Sequence, residues 1–546
     1  MTFEHQTDAS TRRLSDSLAI LAVCVFVFLA VYRIQLPGLY YDEVAFVNAA
    51  QGAPDNTFIY KRLGPVPVLI MPYLGALKAW IYAPIFHILG TSPLTIRLPA
   101  ILLAAVTLLI FYRAMRDAIG ALWATMVVWV MAVDPANLFP SRLDWGPTVF
   151  MHFFQALILA LWFSYRRKPQ LWKPVMIIGC FGLGFFDKFN FLWFLVAFIV
   201  GVVFCYPDSI LTLWNSLSRF ARWFAIIVIL AGFGAVAYVV WPLFYSFEPT
   251  NVRAASLGVK WDALLSALSG RAVAEFIFGN ASGIISHVPF WLIITDGCLV
   301  LACLLSPTAG SEARQNGKNG LFCLIVCFLI FVQIAITPQG GGPHHYLMIF
   351  PLPLLGFAFL AKSLYVQVTT RSLERLVGFG FVSASTCILL ANAHNTAAYL
   401  SDFRTNLHYN PRWSPEIYSL SEYINEHGFE ADRIISADWG LHNQLHALAP
   451  PRKLRRRMRD FWSRFKQLGQ KSQQEQSTAL RGIFPKGTCL VLTFAASKET
   501  FSETRQNFLA SLATDPELKS RLTHEFWFAG EKIYELYEVT RSSRVD

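Results

Sequence analysis

The residues best able to do chemistry sit in five short stretches. "GLYYDEVAFV" (38–47) carries adjacent carboxylates, Asp42 and Glu43, shortly after an apolar run. A carboxylate beside aromatic side chains at a membrane edge, in a lowered dielectric, suits a general base. "FPSRLDWGP" (139–147) adds Asp144, for which capping a helix or pairing with Arg142 weighs as much as catalysis. "FIYKRLGP" (58–65) supplies Tyr60, Lys61 and Arg62, and "GGGPHHYLMIFPLP" (340–353) supplies His344, His345 and Tyr346. These are donors for a phosphate-type anion: Arg gives a bidentate fork, Lys a point charge, His and Tyr neutral or switchable hydrogen bonds. Snorkelling cations and an interfacial tyrosine are the plainer alternative. Lys188, in "FFDKFNF", either neutralises its neighbour Asp187 at a helix end or reaches the same anion. Two adjacent histidines rarely share one ion and no ligand-spaced partners accompany them, so no metal site is read and a divalent cofactor is not indicated.

These stretches must be positioned by membrane helices. The 546-residue chain is 55% hydrophobic and 15% charged, with a mean hydropathy of +0.44, far above a soluble domain. Apolar runs near spanning length are expected at Leu18–Tyr32, Ser92–Met115, Leu122–Phe139, Thr148–Tyr165, Pro174–Phe186, Phe191–Tyr206, Trp223–Trp241, Pro289–Leu305, Leu321–Thr337, Tyr346–Ala361 and Leu376–Ala393, about eleven helices. The net charge of +11 fits basic membrane-flanking loops and anionic headgroups; nucleic acid is not an expected partner. Arg12 and Arg13, Arg113 and Arg116, residues 166–168, Arg219 and Arg222, Arg314 and Lys318, and Lys362 with Arg371 and Arg375 fall on one side, which the positive-inside rule makes cytoplasmic. The five polar stretches and the C-terminal region then share the outer face, periplasmic in a bacterium.

The expected organisation is a cytoplasmic tail (1–17), a transmembrane domain (18–397) with a long first outer loop (33–91), and a soluble extracytoplasmic α/β domain (398–546). Inside that loop, "PVPVLIMPYLGALKAWIYAPIFHILG" reads as a proline-broken segment lying along the membrane or dipping into it. The C-terminal region reads as helix, strand, strand, helix over "SETRQNFLASLATDPELKSRL", then a hairpin. Its basic run "RKLRRRMRDFWSRFK" (452–466) reads as an amphipathic helix on lipid or on an anionic acceptor, or as a solvated face. Of nine cysteines only Cys489 lies in that region, so it holds no internal disulfide.

The acidic pair after a single N-terminal span, the Tyr-Lys segment later in the same loop, the acidic residue in the second loop, "DKFN" and "HYLMIFPLP" resemble, in order and common face, the GT-C glycosyltransferases. The nearest branches are the protein O-mannosyltransferases and the lipid A aminoarabinose transferases. The resemblance implies a polytopic GT-C fold and an inverting transfer of a sugar from a polyprenyl-phosphate donor to a lipid, glycan or protein hydroxyl. It casts Asp42 as the base, Glu43 as the residue that positions the acceptor, and Tyr60 and Lys61, with Tyr346 nearby, as phosphate ligands. Where the aminoarabinose transferases have an Arg shortly after the acidic pair this chain reads "VAFV", and "KPP" is replaced by "KRLGP", where Arg62 compensates. The alternatives are a transporter or flippase of lipid-linked glycans, which predicts charges buried mid-helix, and a membrane-anchored binding protein working through its C-terminal domain.

Overall fold

The computed structural model describes residues 2–52, 59–220, 256–281, 283–305, 310–337, 342–368, 370–405, 408–449 and 452–541, with scattered positions between 222 and 234. Among them, seven helices are long and apolar enough to cross a membrane, or nine if two bent pairs each count as one span. Ten of the eleven expected spans fall on helices, and Trp223–Trp241 lies mostly outside the described residues. The count differs because Pro174–Phe186 falls on a helix of only 16 residues, short of the ~20 needed to span. The bent pairs are Ala121–Ala132 (α5) with Pro135–Arg142 (α6), and Phe189–Cys205 with Pro207–Ser216.

The helix Pro93–Ile119 (α4) gives the bundle its ruler. It starts in a reciprocal cap, Thr95 N donating to Ser92 Oγ (3.2 Å) and Ser92 N to Thr95 Oγ1 (2.9 Å), and stops at Gly120, whose φ of +95° disfavours a side chain. Near its start Arg97 is fully buried. Near its end Arg116 pairs with Asp16 (2.8 Å) and, more loosely, with Asp117, which Arg167 also approaches. Nineteen residues at 1.5 Å each put these two clusters about 28 Å apart, close to the thickness of a hydrocarbon core. The candidate residues lie at the Arg97 end.

The acidic pair stands not in a loop but in the first turn of a helix, Tyr41–Ala50 (α2). The apolar stretch after Tyr60 is likewise no single broken segment. It forms an antiparallel sheet of Lys61–Leu63 (β1), Val66–Met71 (β2) and Leu74–Gly75 (β3), then the helix Leu77–Leu89 (α3). Alternating residues and the Gly64–Pro65 turn favour a hairpin over a dipping helix.

The C-terminal region holds a five-stranded sheet of Arg433–Ser436 (β4), Met458–Asp460 (β5), Gly487–Phe494 (β6), Leu518–Phe528 (β7) and Glu531–Arg541 (β8), ordered β5-β4-β6-β8-β7. β4 runs parallel to β5 and β6; β8 is antiparallel to β6 and β7. Two sequence expectations are corrected. The helix over 502–522 ends at Thr514, and its tail becomes β7, which gains a full ladder with β8. The basic run is not one amphipathic helix: Arg452–Arg455 and Trp462–Leu468 flank β5, because Met458 is taken into the sheet core.

This domain is packed onto the membrane half through α2. Asn48 Nδ2 donates to the Asn443 carbonyl (3.0 Å), His446 Nδ1 meets Asn48 Oδ1 (3.0 Å), and Gln444 Nε2 donates to the Leu39 carbonyl. Gly38 N donates to the Trp413 carbonyl (2.8 Å). A Cβ at Gly38 would lie 2.1 Å from the Ser414 oxygen, so this approach requires glycine.

Candidate active site

Tyr40 caps α2, its backbone N–H donating to Glu43 Oε1 (3.1 Å), so the turn that carries Asp42 is built partly by its neighbour. Glu43 is fully buried and takes a bidentate fork from Arg97, Nε to Oε2 at 2.8 Å and Nη2 to Oε1 at 3.0 Å. Arg97 also donates to the Ile34 and Pro37 carbonyls (2.7 and 3.0 Å). Burial pushes the Glu43 carboxyl up and the fork opposes it. Both Glu43 oxygens are thus committed inside the protein.

Asp42 points the other way and is only half-buried. Its Oδ2 accepts the Trp145 indole N–H (3.1 Å). Burial raises its carboxyl, while that hydrogen bond and the ammoniums of Lys188 and Lys78 pull it down. Trp145 is held flat against Phe276, with centroids 5.2 Å apart and rings 8° from parallel. It follows Asp144, which is fully buried and has a φ of +48°, a conformation a non-glycine residue keeps only when its surroundings enforce it. The enforcing residues are Lys78, whose Nζ lies 2.6 Å from Asp144 Oδ1 and donates to the Gly146 carbonyl (2.9 Å), and Tyr82, whose hydroxyl donates to Asp144 Oδ2 (3.2 Å). Burial pushes Asp144 up to about 7 against Lys78.

Lys78, which is not among the candidates named from the sequence, stands in the middle of this cluster. It is fully buried, 4.5 Å from the Phe46 ring centroid, and its charge reaches Asp42, Glu43, Asp144 and Asp187. A lone lysine in "LGALKAWIYAPIF" was the available signal, since a cation on an apolar helix needs a partner.

Lys188 follows the helix Trp172–Asp187, whose end docks on β3, and its charge reaches Asp42. Phe189 N donates to the Tyr73 carbonyl (3.1 Å), and a Cβ on Gly75 would lie 1.9 Å from the Phe186 oxygen. Lys188 is 9% exposed, forms no ion pair within 4.0 Å among the described residues, and burial pushes it down to about 8 against Asp42 and Asp187. Its field also reaches His344 and His345. Their rings touch (centroids 4.2 Å), His344 faces Trp145 (5.7 Å), and the buried Nδ1 atoms of both have no hydrogen-bond partner among the described residues.

Asp42, Asp144 and His344 therefore adjoin Trp145, His345 touches His344, and the Lys188 charge reaches Asp42 and both histidines. Tyr346 is buried in the helical core just behind the histidines. Tyr60 (65% exposed) precedes the hairpin β1–β2, which carries an exposed Lys61 and a half-buried Arg62. Among the described residues no three His, Cys, Asp or Glu side chains are grouped as a metal would require.

No protein-family profile and no curated protein matches the chain. Among solved structures it is similar to ArnT from Cupriavidus metallidurans in the apo state, with 12% identity, 97% of this chain and 98% of that one covered, and a TM-score of 0.58. It is also similar to ArnT bound to undecaprenyl phosphate, with 12% identity, 95% and 97% coverage and a TM-score of 0.54. The oligosaccharyltransferase of Archaeoglobus fulgidus in the apo form aligns over 95% of this chain and 74% of its own, at 12% identity and a TM-score of 0.49. The chain is a polytopic membrane protein whose fold is GT-C-like, similar over nearly its whole length to that of ArnT.

Proposed function

We propose that the protein is an inverting glycosyltransferase that moves a sugar from a polyprenyl-phosphate donor to an acceptor hydroxyl at the outer membrane face. The observation that carries this reading is a half-buried carboxylate, Asp42, held by the Trp145 indole N–H within reach of the Lys188 charge, with His344 against the same indole and the Nδ1 atoms of His344 and His345 lacking hydrogen-bond partners among the described residues. In the reaction Asp42 accepts the acceptor hydroxyl proton as that oxygen attacks the anomeric carbon. The bond from the anomeric carbon to the phosphate oxygen breaks, and the phosphate leaves with the electron pair. Lys188, His344 and His345 meet the charge that develops on it. Tyr60, Lys61 and Arg62 are assigned to the rim, where the phosphate enters from the lipid. Glu43 acts through Arg97 by fixing α2, and Asp144 acts through Trp145; both are positioning residues. Tyr346 backs the histidines.

The outward orientation rests on the basic cluster around Arg116, at the far end of α4 from the site. Undecaprenyl phosphate, the ligand of the ArnT complex, is the class of carrier a membrane-edge phosphate site would take. The test is purified protein in nanodiscs with a synthetic polyprenyl-phosphate sugar: release of polyprenyl phosphate supports the reading, and its absence with every donor tried counts against it. Envelope glycolipids and glycoproteins of a deletion strain, compared by mass spectrometry, then identify the product.

One observation favours the transporter reading. Asp296, inside the span Val288–Leu305, is 1% exposed and neither carboxylate oxygen has a partner among the described residues. Asp296→Asn separates the two: unchanged sugar transfer leaves Asp296 outside the enzymatic function, whereas loss of glycan transport without loss of transfer supports the transporter.

A further inference from the structure

The crevice at the carboxyl ends of β4 and β5 belongs to no step described so far. After β4 the chain leaves to one face of the sheet, where the helix Leu441–Leu448 packs with Ile417 and Ile434. After β5 it leaves to the opposite face, where the helix Trp462–Leu468 packs with Ile435 and Phe508. The two strands are adjacent and parallel, Ser436 in register with Asp460. Adjacent parallel strands whose following segments diverge to opposite faces open a crevice outside their carboxyl ends, which is where α/β sheets bind ligands.

Here that crevice opens onto the catalytic helix. Trp439, just beyond β4, stacks on Tyr41, with centroids 4.6 Å apart and an interplanar angle of 26°. Asp460, at the end of β5, shares the electrostatic surroundings of Tyr41 with Asp42 and Tyr73. All five side chains are half-buried, neither core nor free surface. Asp460 Oδ1 accepts Trp462 N at 3.4 Å, and its Oδ2 has no hydrogen-bond partner among the described residues.

We propose that this crevice is the acceptor subsite and that it takes a sugar ring carrying the hydroxyl to be glycosylated. Aromatic rings offer a flat apolar surface to the C–H face of a pyranose, and an open carboxylate accepts from its hydroxyls. The arginines around β5 already have hydrogen-bond partners within the protein. Arg455 donates to Gln51 Oε1 (2.5 Å), Arg457 to the Phe429 and Ala431 carbonyls, and Arg459 to the Arg456 and Met458 carbonyls. The soluble domain thereby selects the acceptor while the membrane domain holds the donor. The assignment rests on Asp42 being the base that receives the acceptor proton.

Saturation-transfer NMR on the full chain in nanodiscs tests it without donor or turnover. The probes are methyl glycosides of glucose, galactose, mannose and N-acetylglucosamine, with N-acetylthreonine methylamide as the peptide alternative. At least one glycoside should show transfer to its ring protons, weakened about tenfold in Trp439→Ala and in Asp460→Asn. Asp460→Asn keeps shape and the bond to Trp462, so it remains informative if Trp439→Ala fails to fold. No glycoside signal, a signal equal in all variants, or a signal only from the threonine probe overturns the proposal. Failure of the transferase reading is seen separately, as absence of polyprenyl phosphate release by the wild type.

Discussion

Replacing Lys78 by Met removes one charge while keeping length and contact with Phe46. Its ammonium lies 2.6 Å from Asp144 Oδ1, and both groups are fully buried. At an effective dielectric near 20 the direct attraction is about 6 kcal/mol, offset by the cost of burying both ions. Breaking such a pair from one side costs about 3–5 kcal/mol, because the remaining charge is left uncompensated. The damage should spread to function, since Asp144 and Gly146 flank the Trp145 that donates to Asp42. Chemical unfolding in detergent, followed by tryptophan fluorescence, should show Lys78→Met destabilised by about 3–5 kcal/mol. The double variant with Asp144→Asn should recover at least about 2 kcal/mol of it, the signature of direct coupling. A Lys78→Met protein within about 0.5 kcal/mol of wild type, or strictly additive losses in the double variant, would mean that the Lys78–Asp144 pair does not hold this turn.

Trp145→Phe deletes the indole donor to Asp42; since that bond lowers the carboxyl's pKa and is worth about 1.5–3 kcal/mol, the acidic limb of kcat should move up by roughly one to two pH units. An unmoved limb would detach Trp145 from the base. Lys188, held down to about 8 by burial, loses its charge as pH rises through that value, so KM for the donor should climb above pH 8 in the wild type and be flat there in Lys188→Met. Lys61→Ala, on the exposed hairpin, should raise donor KM less than Lys188→Met; the reverse order would place the phosphate at the hairpin. Glu43→Gln halves the Arg97 fork and should destabilise the protein by about 3–5 kcal/mol before it alters acceptor preference. Loss of acceptor use at full stability would give Glu43 a direct acceptor contact.

The bundle was legible because helix period and apolar length are local properties, and ten of the expected spans coincide with helices. Local hydropathy could not tell that α5 and α6 bend by 51° at Asp134–Pro135, where Asp134 caps Ala136 N (2.9 Å) and accepts from Asn392 (3.0 Å). Asp42, Asp144, Lys188 and the histidines were readable as polar residues at span ends. Their separate duties were not: Glu43 faces Arg97 from 54 positions away, and Asp144 faces Lys78 from 66. Such pairings are set by how α2, α3 and α4 pack, and adjacent carboxylates in a sequence carry no sign of which one turns inward. The run 452–466 misled for a related reason. Its cations suggested a helix face, but Met458 and Phe465 are buried on opposite faces of a sheet that forms only with β4 and β6.

Single-turnover transfer by Asp42→Asn in nanodiscs shows whether Asp42 takes the acceptor proton. The substitution keeps size and can still accept the Trp145 hydrogen bond. The rate of sugar transfer from a polyprenyl-phosphate donor should fall by at least about 100-fold, with donor affinity and unfolding midpoint near those of wild type. Near-normal transfer by this variant would move the base elsewhere in the site.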